Sequence, residues 1–249
     1  MTKLSVNVNK IATLRNTRPQ LNIPDLIALS RIALDAGADG LTIHPRPDQR
    51  HIRDQDIDGL AELLQAYPKL ELNIEGNPFE GRYLEQCGRV RPHQCTLVPD
   101  SISQSTSDHG WRFPDDLERL QPVIRHLQAL GCRVSLFMDP NVDQIPWVAQ
   151  AGAERVELYT EPFAARYARH DPLATKDYVQ AAHAATEAGL MVNAGHDLSL
   201  ANLAALLQAV PDIAEVSIGH ALIADALVFG LSETVRKYLE EIESSRRRH

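Results

Sequence analysis

Eight short apolar runs, each followed by a segment of helical periodicity, divide this chain from end to end, and that alternation restricts its possible folds more than any other feature. The strand candidates are Leu4–Asn9, Gly40–Pro45, Leu70–Glu75, Gln94–Pro99, Arg133–Asp139, Arg155–Glu161, Leu190–His196 and Glu215–His220. Among the helical segments, Pro24–Ala36 carries Leu26, Ile27, Leu29, Ile32 and Ala33 on one face, and Asp115–Leu130 spaces Leu117, Leu120, Ile124 and Leu127 at the helical period. Pro24 and Pro114 stand where a first helical turn tolerates proline, and Gly131 and Gly189 stand where helices end. Two joints nearly repeat, Ala36-Gly37-Ala38-Asp39-Gly40 and Ala151-Gly152-Ala153-Glu154-Arg155, each reading as a glycine after a helix and a short turn into the next strand. Strand–helix alternation requires a parallel sheet, and eight units are the number that closes a barrel. An open doubly wound sheet would use fewer strands and usually a glycine-rich first turn, but no G-x-G-x-x-G occurs. The expected fold is an α/β (β/α)8 barrel with room for short extra helices.

The length of 249 residues, 44% of them hydrophobic, suits one such barrel, which typically needs about 250 residues. We expect a single catalytic domain over 1–249, with 244–249 as a disordered tail. No apolar run approaches the roughly 20 residues needed to span a bilayer, and the first residues enter a strand pattern without a signal-peptide core. A soluble, cytoplasmic protein without a membrane partner is expected. Cys87, Cys95 and Cys132 lack metal-type spacing and read as buried, reduced thiols. With a net charge of −8 and only Arg246-Arg247-Arg248 as a basic run, nucleic acid is not an expected partner. An anionic ligand would have to be drawn in by local arginines.

Barrel enzymes take their catalytic groups from the C-terminal ends of the strands. Here those ends offer Asn7 and Asn9 with Lys10; His44 with Arg46, Arg50 and His51 beyond it; Asn73 and Glu75; Asp139; Glu157, Tyr159 and Glu161; Asn193 and His196; and Ser217 and His220. Each has a plain structural explanation: a histidine packed by a hydrogen bond, Arg50 and Asp48 as a solvated loop pair, Glu157 as a buried paired carboxylate. That His44, Glu75, His196 and His220 all fall at the same end of different strands favours one site over four coincidences. A carboxylate and histidines in a dry pocket suit general acid–base chemistry, and neighbouring arginines suit phosphate. Ser217-Ile218-Gly219-His220 carries the last strand through glycine straight into a helix, whose free N–H groups form an anion site. Metal ligation by His44, His51, Glu75 and His196 is the rival reading. However, the H-x-H expected on the first strand of barrel metallohydrolases is replaced by Asn7-Val8-Asn9, so no metal is expected. The irregular stretch Asp100–Phe113, following the fourth strand, lies where a lid would be.

These residues carry a resemblance. Val6-Asn7-Val8-Asn9-Lys10-Ile11-Ala12-Thr13-Leu14-Arg15-Asn16 resembles the opening signature of the pyridoxine 5′-phosphate synthase family, commonly V-N-I-D-H-I-A-T-L-R-N. Further motifs follow in family order over nearly the whole chain: Gly40-Leu41-Thr42-Ile43-His44-Pro45-Arg46, Arg50-His51-Ile52, Asn73-Ile74-Glu75, Leu97-Val98-Pro99, Val192-Asn193-Ala194-Gly195-His196 and Ile218-Gly219-His220-Ala221. The resemblance implies an octameric barrel enzyme of vitamin B6 synthesis. It would condense 1-deoxy-D-xylulose 5-phosphate with 3-amino-2-oxopropyl phosphate, releasing phosphate and water, without a cofactor. It implies His44, Glu75 and His196 as acid–base residues. Asn7, Arg18, Gly219 and His220 would hold the aminoketone phosphate, and Arg46, His51 and Thr106 the deoxyxylulose phosphate. Asn9, Lys10 and Asp197 also fall at substrate positions, but depart from the family's usual Asp, His and Gly. Of two carboxylates near the third strand, Glu71 and Glu75, the second matches Asn-Ile-Glu and stands at the strand's end. The alternative is another phosphosugar barrel, an aldolase or epimerase. A Schiff-base aldolase would need a strand-end lysine, for which Lys10 is the candidate. A ligand-binding barrel without turnover is the non-enzymatic alternative.

Overall fold

Each of the eight apolar runs forms a strand: β1 (Lys3–Asn7), β2 (Gly40–Ile43), β3 (Glu71–Gly76), β4 (Gln94–Leu97), β5 (Arg133–Met138), β6 (Arg155–Tyr159), β7 (Met191–Gly195) and β8 (Ile213–Ile218). In this computed structural model, which describes residues 1–104 and 106–246, the strands pair in parallel in chain order. The sheet closes where β8 meets β1, with Val6 opposite Ile218. Eleven helices surround it among the described residues: α1 (Asn9–Asn16), α2 (Leu26–Asp35), α3 (Asp54–Leu64), α4 (Tyr83–Val90), α5 (Leu117–Ala129), α6 (Ile145–Ala151), α7 (Glu161–Ala168), α8 (Lys176–Glu187), α9 (Leu203–Ala209), α10 (His220–Phe229) and α11 (Leu231–Arg246). The molecule is a (β/α)8 barrel with short additional helices.

The period-2 alternation of the strands sorts two environments. Outward-facing Leu4, Val6, Leu41, Ile43, Leu72, Ile74, Val134 and Leu136 are fully or almost fully buried under the helices and form the apolar core. The inner face is polar instead of filled with branched apolar side chains. Near its N-terminal end Glu71 accepts from Lys3 at 2.6 Å and from Arg133, while Arg155 donates to Asn193 at 3.0 Å. Above that layer the hydroxyls of Ser5 and Thr42 meet at 2.6 Å, and Thr96 donates to Asn73 at 3.0 Å. Polarity on a strand therefore does not by itself mark the site's end of this barrel.

Seven of the eight strands end earlier than the sequence suggests, and β3 ends one residue later, at Gly76. Asn9, Glu161 and His220 are the first residues of α1, α7 and α10, and Pro45, Pro99, Asp139 and His196 lie in the loops beyond their strands. Asn7 and Asn9 consequently do not share a strand face. They meet through a turn, with the Asn9 N–H donating to the Asn7 side-chain oxygen at 3.1 Å. Pro24 precedes α2, whose N-cap is Asp25, accepting from the Ala28 N–H at 3.0 Å. Pro114 likewise lies in a turn before α5. The two repeated joints do turn on glycine: Gly37 and Gly152 have φ of 112° and 95°, a region that side-chain-bearing residues rarely enter. At the C-terminus, α11 continues through 244–246, with the Ser245 hydroxyl buried against the Ile242 carbonyl, so this part of the expected tail is helical. Residues 247–249 lie outside the described residues. All three cysteines are buried and unpaired. No helix among the described residues is long and apolar enough to cross a membrane.

Candidate active site

A cavity of about 510 Å³ opens at the C-terminal ends of the strands. Every residue that the resemblance places at the site except Arg18 lines it, whereas Asn73, Asp139 and Asn193, also offered by the strand ends, do not. Arg18 is exposed on the turn after α1, outside the lining. Thr13 and Ser107 line the cavity without having been singled out in the sequence. Glu71, the competing carboxylate, lies in the ion-paired layer at the other end of the barrel. There burial raises its pKa, but hydrogen bonds from Arg133 and Lys3 bring it down to about 2.

At the centre stands Glu75, 4% exposed, at the top of β3. Its Oε2 lies 3.9 Å from His44 Nδ1 and accepts weakly from the Asn7 amide at 3.5 Å. Burial raises the Glu75 pKa well above the carboxylate range, and the nearby Glu157 and Asp100 charges raise it further. Burial also carries His44 well below the usual imidazole range, helped by Arg46. Both shifts favour the neutral forms, carboxyl and imidazole, a combination able to give and take protons. Asn9 places His44: its side-chain oxygen accepts from the His44 backbone N–H at 3.0 Å. An amide oxygen accepts here as well as a carboxylate would. Glu157, on β6, is buried, within 3.5 Å of the Thr96 hydroxyl, and lifted to about 8 by burial and by Glu215. Gly195 on β7 makes room for it: a Cβ there would come within 2.5 Å of Glu157 Oε1.

His196 sits just past β7 against two aromatic rings, 5.0 Å from Phe137 and 5.5 Å from Tyr159 between centroids. Burial lowers it to about 4, so it too is neutral at pH 7 and available as a base. His196 and Asp197 both have positive φ, 81° and 56°. Two consecutive non-glycine residues in that region are a local strain of the kind that gathers at functional sites. Asp is one of the few side-chain-bearing residues that tolerates this conformation.

Cationic and N–H groups ring the acid–base centre. Arg46 is buried and pairs with Asp100 at 2.7 Å. His51 beside it is held near 4 by burial and by the Arg46 and Lys10 charges. Its loop is fastened from α1: Arg15, 2% exposed, bonds both oxygens of Asp56 at 2.6 and 2.8 Å, and Asn16 donates to the His51 carbonyl at 2.7 Å. The pair Arg50–Asp48 exists, but Arg50 also donates to the carbonyls of Ile102 and Gln104 and ties down the loop after β4. That loop contributes Thr106, exposed, and Ser107, buried against Asp100. Across the cavity, Gly219 caps α10, whose first N–H groups have no partner within the helix. Gly219 and His220 both line the cavity, so this helix end faces the same space, a favourable place for an anion. Among the described residues no group of three or more His, Cys, Asp and Glu is arranged to hold a metal ion.

Comparison with known proteins gives a consistent result. A family model described as pyridoxal phosphate biosynthesis protein PdxJ matches residues 4–244. A pyridoxine 5′-phosphate synthase of Albidiferax ferrireducens is 53% identical, over 98% of this chain and 99% of the relative. Synthases of the same name from Xylella fastidiosa and Porphyromonas gingivalis are 50% and 48% identical, covering 98% and 97% of this chain and 95% and 99% of theirs. Among solved structures, an open-form tryptophan synthase of M. tuberculosis superposes with a TM-score of 0.65 at 11% identity, covering 97% of this chain and 92% of that one. A phosphoribosylanthranilate isomerase of Thermotoga maritima gives 0.58 at 11%, covering 98% and 100%. At those identities the structures share the barrel alone.

Proposed function

The chain belongs to the PdxJ family of pyridoxal phosphate biosynthesis proteins, and from that premise we propose that its cavity closes the pyridine ring of pyridoxine 5′-phosphate. The reaction condenses 1-deoxy-D-xylulose 5-phosphate with 3-amino-2-oxopropyl phosphate and releases phosphate and water. The observation that carries the reading is a buried His44–Glu75 pair with His196 in one cavity, flanked on one side by Arg46 and His51 and on the other by the N-terminus of α10. Two anion-binding ends suit two phosphorylated substrates, and the groups between them suit their chemistry. Condensation of amine with ketone, loss of phosphate and ring closure are proton transfers, which positioned acids and bases serve without a cofactor.

In this reading Glu75 and His44 exchange protons with the condensing carbon skeleton, and neutral His196 is the second base. Arg46, His51 and Thr106 hold the deoxyxylulose phosphate. Asn7, Gly219 and His220 hold the aminoketone phosphate, with Lys10 and Asp197 at the cavity wall. Arg18, exposed after α1, lies outside the lining that would hold this phosphate. A Schiff-base aldolase is disfavoured because Lys10 lies on α1 at the exposed wall and not at a strand end. Exposed Leu227, Val228 and Phe229 on α10 offer an apolar surface to a homo-oligomer, an octamer by resemblance, and three unpaired thiols suit a reducing cytoplasm. The test is to mix the two substrates, the aminoketone freshly prepared, without metal chelate or cofactor. Pyridoxine 5′-phosphate and inorganic phosphate are expected in equal amounts; no product beside an active relative rules the function out.

A further inference from the structure

We propose that Asp100 is a positioning residue for the ring-closing reaction, fixing His44 in the tautomer that carries its proton on Nε2. This rests on the function proposed above and adds a residue to its machinery. Asp100 follows Pro99 beyond β4, and its side chain is 1% exposed. Its Oδ2 is shared by Arg46 at 2.7 Å and the Ser107 hydroxyl, and it lies 4.0 Å from His44 Nε2. Its Oδ1 is buried without a hydrogen-bond partner among the described residues. A buried carboxylate oxygen left unpaired is costly, so a donor within reach of a small ring or carboxylate rotation is strongly favoured. The ring nitrogen that faces this carboxylate is His44 Nε2, 4.0 Å from Oδ2.

The consequence is directional. A neutral imidazole carries one N–H. His44 lies between two carboxyl groups, Glu75 facing Nδ1 at 3.9 Å and Asp100 facing Nε2 at 4.0 Å. Burial raises the Asp100 pKa, the Ser107 hydrogen bond and the Arg46 charge oppose that rise, and the oxygen that faces His44 already serves as an acceptor for both groups. With the imidazole proton directed at Asp100, Nδ1 presents its lone pair to Glu75, the group whose burial favours the protonated form. Proton exchange then runs between Glu75 and Nδ1. Asp100 stabilises the imidazolium that forms without taking up the proton itself. The logic is that of the buried carboxylate that orients a catalytic histidine in hydrolases, reached here from a loop that also anchors a phosphate-binding arginine. The apo separations exceed hydrogen-bond length, as is common before substrate tightens such a site.

Asp100→Asn tests this directly. The amide keeps an oxygen for Arg46, but offers an N–H to Nε2 and so favours the opposite tautomer. With folding checked by melting temperature, kcat is expected to fall about 10- to 1000-fold, while KM for 1-deoxy-D-xylulose 5-phosphate stays within about threefold of the wild type. Asp100→Ala with formate in the assay is the second arm, and partial recovery of kcat by formate is expected. Unchanged kcat in Asp100→Asn, a rise in KM alone, or loss of kcat in Asp100→Ala without recovery by formate would overturn the assignment. A wild type forming no product in the same assay would instead overturn the function on which it rests.

Discussion

Glu157 shows how much one buried carboxyl shapes the behaviour of this site. Its pKa of about 8, against 4.5 in the unfolded chain, means that between those values the folded protein holds a proton that the unfolded chain releases. Stability from this group is therefore complete below pH 4.5 and is lost as pH rises through 8. Replacing Glu157 with Gln removes that loss. Comparing melting temperatures at pH 5 and pH 8.5, the gap between variant and wild type should move in the variant's favour by at least about 1 kcal/mol, or about 2–4 °C. A gap that does not change with pH would show Glu157 ionised in the fold. His44, His51 and His196 act with the opposite sign: depressed by burial, they cost stability as pH falls below 6.5. Single residues were the most readable part of the site, because His44, Glu75 and His196 belong to compact motifs at strand ends. Asp100 was not readable: its role comes from meeting Arg46, 54 positions away in the chain, and nothing in its own neighbourhood announces that contact.

At the scale of elements, α1 does more than follow β1. Its Arg15 and Asn16 hold the loop that carries Arg46, Arg50 and His51, and Asp56 at the start of α3 completes the clamp. Removing one partner of a buried ion pair typically costs about 3–5 kcal/mol. Asp56→Ala should therefore lower the melting temperature by roughly 6–20 °C, and should raise KM for the deoxyxylulose phosphate more than for the aminoketone. Equal effects on both substrates, or a melting shift under a degree, would mean that the clamp does not control that loop. All eight strands were legible because their apolar runs are short and bounded by turns. Their ends were not: whether Asn9 or His220 closes a strand or opens a helix depends on register with neighbouring strands. Arg15 and Asn16 were visible only as parts of a signature, and their partners in the loop and α3 had to be seen in space.

For the whole molecule, closure of the barrel brings strand ends far apart in sequence around one cavity, and the polar inner face leaves the hydrophobic core to the strand–helix layer. The exposed apolar end of α10, where Leu227 is 79% and Val228 75% exposed, is more than one protomer's surface normally leaves bare. The family resemblance implies eight copies, for which light scattering should give a mass eight times that of the 27.7 kDa chain; a smaller mass would set the octamer aside. The central claim is that the His44–Glu75 pair performs ring closure between two phosphate-binding ends. Its most direct test is the two-substrate reaction run with the wild type and with Glu75→Gln, alongside equilibrium binding of 1-deoxy-D-xylulose 5-phosphate to each. We expect pyridoxine 5′-phosphate from the wild type, a loss of about 10²–10⁴ in kcat in the variant, and a Kd for the phosphorylated ligand that changes little. Turnover by Glu75→Gln within about twofold of the wild type would contradict it.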